Sequence, residues 1–365
     1  MGLSNTITTA TLALRGSATS QAEYLSHFRA DNAVRDLEAI RLALTASITD
    51  PDSKKWSILG QSYGGFVSLT YLSFYPEGLR EVFPLGGLAP VTQALPDEPI
   101  RRAYRRVAQR NERYFAKYPE DVERVRRVAQ HLDRERPLLP TGVPLSSARF
   151  LGMGIYFGFH GGFDRVHEIV LRADWDLDVF GFLTRPTLAE VEANTGGFDE
   201  HVIYALLHGS LYAQGKAPAW VFDRIREEFA EFDYQATIKQ GPVPASGQEG
   251  DGESKVFFTG EMVFKSAFDD YAELRPLKDV VTILEQKHDW PDLYDLEQLA
   301  RNDVPVYAAV YNEDMYVDLD FSLETANLVK GAKVYQTNVM YHDAVRSKAG
   351  DVLKALWELR DDTID

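Results

Sequence analysis

Gly60-Gln61-Ser62-Tyr63-Gly64 sets one serine between two glycines, a G-x-S-x-G pattern. A serine nucleophile on a sharp strand-to-helix turn needs that spacing. The turn is strained, flanking glycines let strand and helix approach, and the helix N-terminus aims N–H groups at a developing oxyanion. The pattern alone is weak, since a plain Gly-Ser turn satisfies it too. Its context is specific: "WSILG" before it has the pattern of a strand buried on both faces, and "FVSLTYLSFYPEG" after it that of a helix ended by Pro76 and Gly78. Such a serine requires an acid and a histidine base, in the chain order Ser, Asp/Glu, His. "VPVYAAVYNEDMYVD" offers Glu313, Asp314 and Asp318 after a strand, with Asp314 best placed in the turn, and "AKVYQTNVMYHDAVRS" puts His342 after the last strand. In this reading His342 is the general base, Asp314 orients it and stabilises the imidazolium, and the Tyr63 N–H is an oxyanion donor. The remaining histidines lie in charged helical contexts (His27, His131), in an inserted region (His160, His167, His201, His208) or in a boundary loop (His288), and are assigned structural or surface roles.

Elements that position these residues follow from periodicity. From Asp31, a good N-cap residue, "DNAVRDLEAIRLALTAS" repeats apolar positions at Val34, Leu37, Ile40 and Leu44 and predicts an amphipathic helix. "LREVFPLGGLAP" is a second short strand. From about Pro96 to 290 long helical stretches dominate. After that strand and helix alternate again through "VPVYAAVYN", "DFSLETANLV", "AKVYQTNVM" and "AGDVLKALWELRDD". The flanking pieces alternate as βαβ units do, which predicts an α/β fold with one parallel sheet shared by both ends. The helical insertion then sits over the carboxyl ends of the strands. The expected division is 1–95 and 291–365 as core and 96–290 as cap. "KQGPVPASGQEGDGESK" (239–255) is a polar loop within that cap.

Composition narrows the classes. With 45% hydrophobic and 26% charged residues the chain has ample material for a core. No run of eighteen apolar residues suggests a membrane span. Zero cysteines excludes disulfides and thiol chemistry and fits a cytoplasmic protein. The net charge of −16 disfavours nucleic acid and anionic membranes as partners. The arginine-rich stretch 100–136 carries its charges among Ile100, Tyr104, Val107, Val122, Val125 and Val128 at helical spacing, which predicts solvated faces of two helices. Gly2 and Thr6 satisfy the bare N-myristoylation pattern, a short one that arises often by chance. No H-E-x-x-H or dinucleotide glycine pattern is present, and the chemistry above requires no metal and no organic cofactor.

The segments "YLSHFRADNAVRDLEAIR", "WSILGQSYGGFVSLTYLSFYPEGLREVF", "FTGEMVF", "VPVYAAVYNEDMYVD" and "NVMYHDAVRSK" span most of the chain. Together they resemble the prolyl aminopeptidases (proline iminopeptidases), the longer fungal kind within the α/β-hydrolase superfamily. The resemblance implies removal of an N-terminal proline from peptides and a helical cap that carries selectivity. It also implies an acidic cap residue that anchors the substrate's free α-ammonium, matched here by Glu261 in "FTGEMVF". The residues alone leave Glu261 equally open to an ordinary salt-bridge role. A second acid is expected near "YALLHGSLYAQG", where this chain has Gly209, with Glu200 as a neighbouring substitute.

The family's His-Gly-Gly-Pro-Gly oxyanion loop has no match before Ser62, and Gly2-Leu3-Ser4 match the end of its Asp-Gln-Arg-Gly-x-Gly-Leu-Ser stretch. The expectation is a core whose first strands are missing, an exposed sheet edge beside the elbow strand, and loss of one oxyanion donor. Such a loss costs roughly 10²–10³ in kcat. His160-Gly161-Gly162 in "FGFHGGFDRV" mimics the oxyanion run but is expected to be a cap turn. Besides a serine aminopeptidase, the residues leave open an esterase-like hydrolase on the same triad and a catalytically impaired binding or scaffold protein.

Overall fold

A computed structural model describes residues 6–93, 95–239 and 255–362. Gly2-Leu3-Ser4 and nearly all of the polar tract 239–255 lie outside them. Among the described residues four strands form one sheet: β1 (Trp56–Gln61), β2 (Leu79–Leu85), β3 (Val306–Tyr311) and β4 (Ala332–Thr337). All neighbours are parallel, in the order β1-β2-β3-β4. The β1–β2 connection is the helix Tyr63–Phe74 and the β3–β4 connection the helix Leu319–Leu328, whereas β2 and β3 are joined through the long, mostly helical segment between them. The expected α/β fold with one parallel sheet is thus present, with residues far apart in sequence sharing it.

Strand periodicity sorts the core. On one face Val306, Ala308 and Val310 pack with Val34, Leu69, Leu72 and Val82 under the helices Ala30–Leu44 and Tyr63–Phe74. On the other, Ala309 and Tyr311 pack with Leu85, Val352 and Leu356 under the closing helix Ala349–Asp361. β1 departs from its expected double burial: Ser57 and Leu59 are exposed, Leu59 at 48%. The reason is local, since among the described residues β1 pairs on one side only.

The helix Ala30–Leu44 also differs from its expected face. Arg29 stands at the N-cap and Asp31 falls in the first turn. Val34 is buried as expected, yet Ile40 and Leu44 are exposed, and the inward positions of those turns hold Glu38 and Arg41. Glu38 accepts from Arg41 Nε at 2.8 Å and from the Tyr71 hydroxyl at 2.7 Å. A charge pair with hydrogen bonds replaces an apolar stripe there.

The inserted region has its own core. Tyr104, Val107 and Tyr114 of the helix Asp97–Lys117 and Val125, Val128 and Leu132 of Asp121–Glu135 pack with Phe150, Phe157, Val166 and Phe258. The arginine-rich faces are solvated at most positions, but Arg110 and Arg126 are buried. Arg110 Nε donates to the Phe157 carbonyl at 2.9 Å, and its guanidinium lies over Phe163 and Tyr341. Planar stacking and carbonyl bonding let an arginine be buried where spacing alone predicts solvent. No described helix is long and apolar enough to cross a membrane.

Candidate active site

Strand β1 delivers Ser62 to the carboxyl end of the sheet, where Ser62 N donates to the Leu85 carbonyl at 2.9 Å. Its backbone, at φ 55 and ψ −123, occupies a conformation that a non-glycine residue rarely adopts, and the helix Tyr63–Phe74 begins at the next residue. The sequence assigns both flanking glycines to close approach. Only Gly60 has it, as a Cβ there would fall on the Gly64 carbonyl, while a Cβ on Gly64 would meet nothing within 4 Å. The strain is held because strand pairing and helix packing fix both ends of the turn.

The residues singled out by chain order meet here. Ser62 Oγ lies 2.8 Å from His342 Nε2, and His342 Nδ1 lies 2.7 Å from Asp314 Oδ2. Asp314 is nearly fully buried, and its Oδ1 accepts from the amides of Tyr316 (2.8 Å) and Val317 (3.0 Å). Burial opposes the imidazolium, but the charge and hydrogen bond of Asp314, together with the charges of Glu261 and Asp343, outweigh it, so the His342 pKa is raised above its ordinary value. The two other acids of that segment are engaged elsewhere. Glu313 pairs with Arg113, while Asp318 pairs with Arg102 and caps the helix Leu319–Leu328. Gln61 Nε2 donates to the His342 carbonyl at 2.7 Å, tying the serine turn to the histidine loop.

Ser62 opens into a cavity of about 270 Å³ lined by Tyr63, Phe66, Tyr204, Tyr212, Glu261 and Tyr316 among others. Glu261 sits in a loop pinned by buried Phe257, Phe258, Met262 and Phe264, and the Tyr204 hydroxyl donates to its Oε1. Burial, reinforced by the Glu261 charge, pushes the Tyr204 hydroxyl well above its ordinary pKa, so it stays a donor. Tyr316 packs on the His342 ring, with centroids 4.4 Å apart, and its hydroxyl donates to the Ile155 carbonyl. This contact connects the inserted region to His342. The arrangement presents a serine hydroxyl with a base, a helix N-terminus beside it and a carboxylate across an apolar cavity.

A profile of the α/β hydrolase fold matches residues 5–156. The chain is 42% identical over 364 residues to proline iminopeptidase aneH of Aspergillus aculeatus, covering 100% of this chain and 77% of that protein. It belongs to the proline iminopeptidase family of α/β hydrolases. A proline iminopeptidase of Aeromonas sobria is 39% identical over 343 residues, covering 94% of this chain and 74% of the other. An acetylester hydrolase of Corynebacterium glutamicum shares 13% identity at a TM-score of 0.31, over 92% of this chain and 69% of that one, and adds nothing to the assignment. As a proline iminopeptidase family member on this fold, the chain is a hydrolase.

Glu200 is exposed and does not line the cavity. His160-Gly161-Gly162 starts the helix Gly162–Phe180, with Gly161 at φ 71, and the His160 ring meets Asp343 Oδ1 at 2.6 Å. Tyr204, Tyr212, Tyr316 and Gln61 escaped the sequence reading. Gln61 lies inside the motif itself, whereas the tyrosines carry no signal in spacing and become neighbours only on folding.

Proposed function

We propose that this protein is a serine aminopeptidase that releases N-terminal proline from peptides. The observation that carries the reading is the hydrogen-bonded series Ser62–His342–Asp314 opening into the same cavity as Glu261. Two relatives named proline iminopeptidase support it. In this mechanism the substrate's ammonium pairs with Glu261, a charge-assisted contact that rejects blocked N-termini. Ser62 Oγ attacks the scissile carbonyl while His342 Nε2 takes its proton, and Asp314 holds the imidazolium. The Tyr63 N–H, first in its helix, donates to the oxyanion. Collapse expels the shortened peptide's amine with the proton from His342, and water then releases proline from the acyl-enzyme by the same steps reversed in role.

Residues 1–95 and 291–365 act as the catalytic core in this reading and 96–290 as a selectivity cap. The cysteine-free sequence suits a cytoplasmic setting. The test is hydrolysis of prolyl p-nitroanilide beside its N-acetylated form and a Ser62→Ala variant. Turnover is expected on the free amine only, with kcat falling about 10⁴-fold or more in the variant. Hydrolysis of p-nitrophenyl acetate without any prolyl turnover would instead identify an esterase.

A further inference from the structure

One buried acid takes no part in that mechanism. Glu285, at the end of the helix Lys278–Gln286, is only 6% exposed. Its Oε2 accepts the Trp220 N–H at 2.6 Å, and among the described residues no cationic side chain reaches it at ion-pair distance. Its Oε1 is turned towards Gly209. A Cβ on residue 209 would fall on that oxygen and lie 3.1 Å from Cδ. The carboxyl group of Glu285 thus fills the space a side chain at 209 would take. Gly209 belongs to the turn in which His208, Leu211 and Tyr212, though neither Gly209 nor Ser210, wall the cavity that holds Ser62 and Glu261.

A carboxylate so buried is unfavourable without a cation to meet it. Burial pushes its acid up to about 7, helped by the charge of Asp223 and opposed by the Trp220 hydrogen bond and the more distant Arg224 cation. An approaching ammonium favours the ionised form, and in a poorly solvated wall its attraction carries beyond direct contact. We propose that Glu285 is a second anion of the amine subsite, acting through the Gly209 turn alongside Glu261 and standing in for the acidic side chain that position 209 lacks. This rests on the aminopeptidase reading above. Glu285 is a specificity residue in this proposal, not a catalytic one, since it touches no reacting atom.

The test is steady-state kinetics on prolyl p-nitroanilide and, for the same serine without an amine, on p-nitrophenyl acetate. The proteins are wild type, Glu285→Gln, and the double variant Gly209→Glu with Glu285→Ala. Glutamine keeps the size and the acceptor for Trp220 and removes the charge. KM for the prolyl substrate is expected to rise roughly tenfold with kcat within about twofold, so prolyl-over-ester selectivity falls by the same factor. The double variant moves the carboxylate back to position 209 and is expected to bring KM within about threefold of wild type, a rescue that a packing role would not give. An unchanged KM in Glu285→Gln, or equal losses on both substrates, overturns the proposal while wild-type prolyl turnover keeps the aminopeptidase reading standing. Ester hydrolysis without prolyl turnover in the wild type overturns both.

Discussion

That Ser62, Asp314 and His342 come together was legible because the proposed chemistry constrains their order and each follows a strand. Residues that support them were not, since their proximity exists only in three dimensions. Gly86 is an example. In the sequence it is one of two glycines after β2, consistent with any turn. In the fold it has φ 51, and a Cβ there would lie 3.2 Å from His342 Nδ1, 3.3 Å from Asp314 Oδ2 and 3.0 Å from the Tyr311 ring. Gly86→Ala therefore strains the turn and presses on the His342–Asp314 hydrogen bond. A displacement of about 1 Å in a reacting group can lower the rate about 10²-fold. We expect kcat on prolyl p-nitroanilide to fall about that much while far-ultraviolet circular dichroism stays native. Wild-type kcat in a folded variant would mean the His342–Asp314 pair tolerates the intrusion.

Elements were legible wherever one strong period governs them. β3 was found because apolar residues run continuously there, and the helix Tyr63–Phe74 because turn residues bound it. What periodicity cannot supply is the partner of each face. Spacing put Ile40 and Leu44 in the core, yet the packing surface offered by Tyr71 and Gly78 admits the Glu38–Arg41 pair instead. Arg41 also donates to the Lys54 carbonyl at 2.8 Å, so the pair ties the helix Ala30–Leu44 to the turn before β1. Its hydrogen bonds to Arg41 come first in holding the Glu38 acid below the usual carboxylate range, opposed by burial and aided by Tyr71. Removing one partner strands the others in a dry site. Glu38→Ala is expected to destabilise the fold by about 3 kcal/mol in urea titration at pH 7, more than Glu38→Gln, which retains a hydrogen-bond acceptor. Equal midpoints for the two variants would show that the charge adds nothing to this joint.

For the molecule as a whole, a site built to receive a cation must lower stability while it is empty, and Glu285 makes that measurable. Its carboxyl group goes from an ordinary value of 4.5 in the unfolded chain to about 7 in the fold, chiefly through burial. Between those values the folded state holds more protons than the unfolded one. Stability therefore falls as pH rises through this window, and the loss is complete above the folded value. A shift of this size corresponds to up to about 3 kcal/mol. Glu285→Gln cannot titrate, and other ionisable groups are common to both proteins, so the difference between them isolates this one. Urea unfolding at pH 5, 6, 7 and 8 should show the variant gaining on wild type as pH rises, by up to about 3 kcal/mol at pH 8, with the gap closing towards pH 5. A gap of constant size across that range would mean the Glu285 carboxylate is solvated or paired in solution. The electrostatic argument for its place at the amine subsite would then lose its basis.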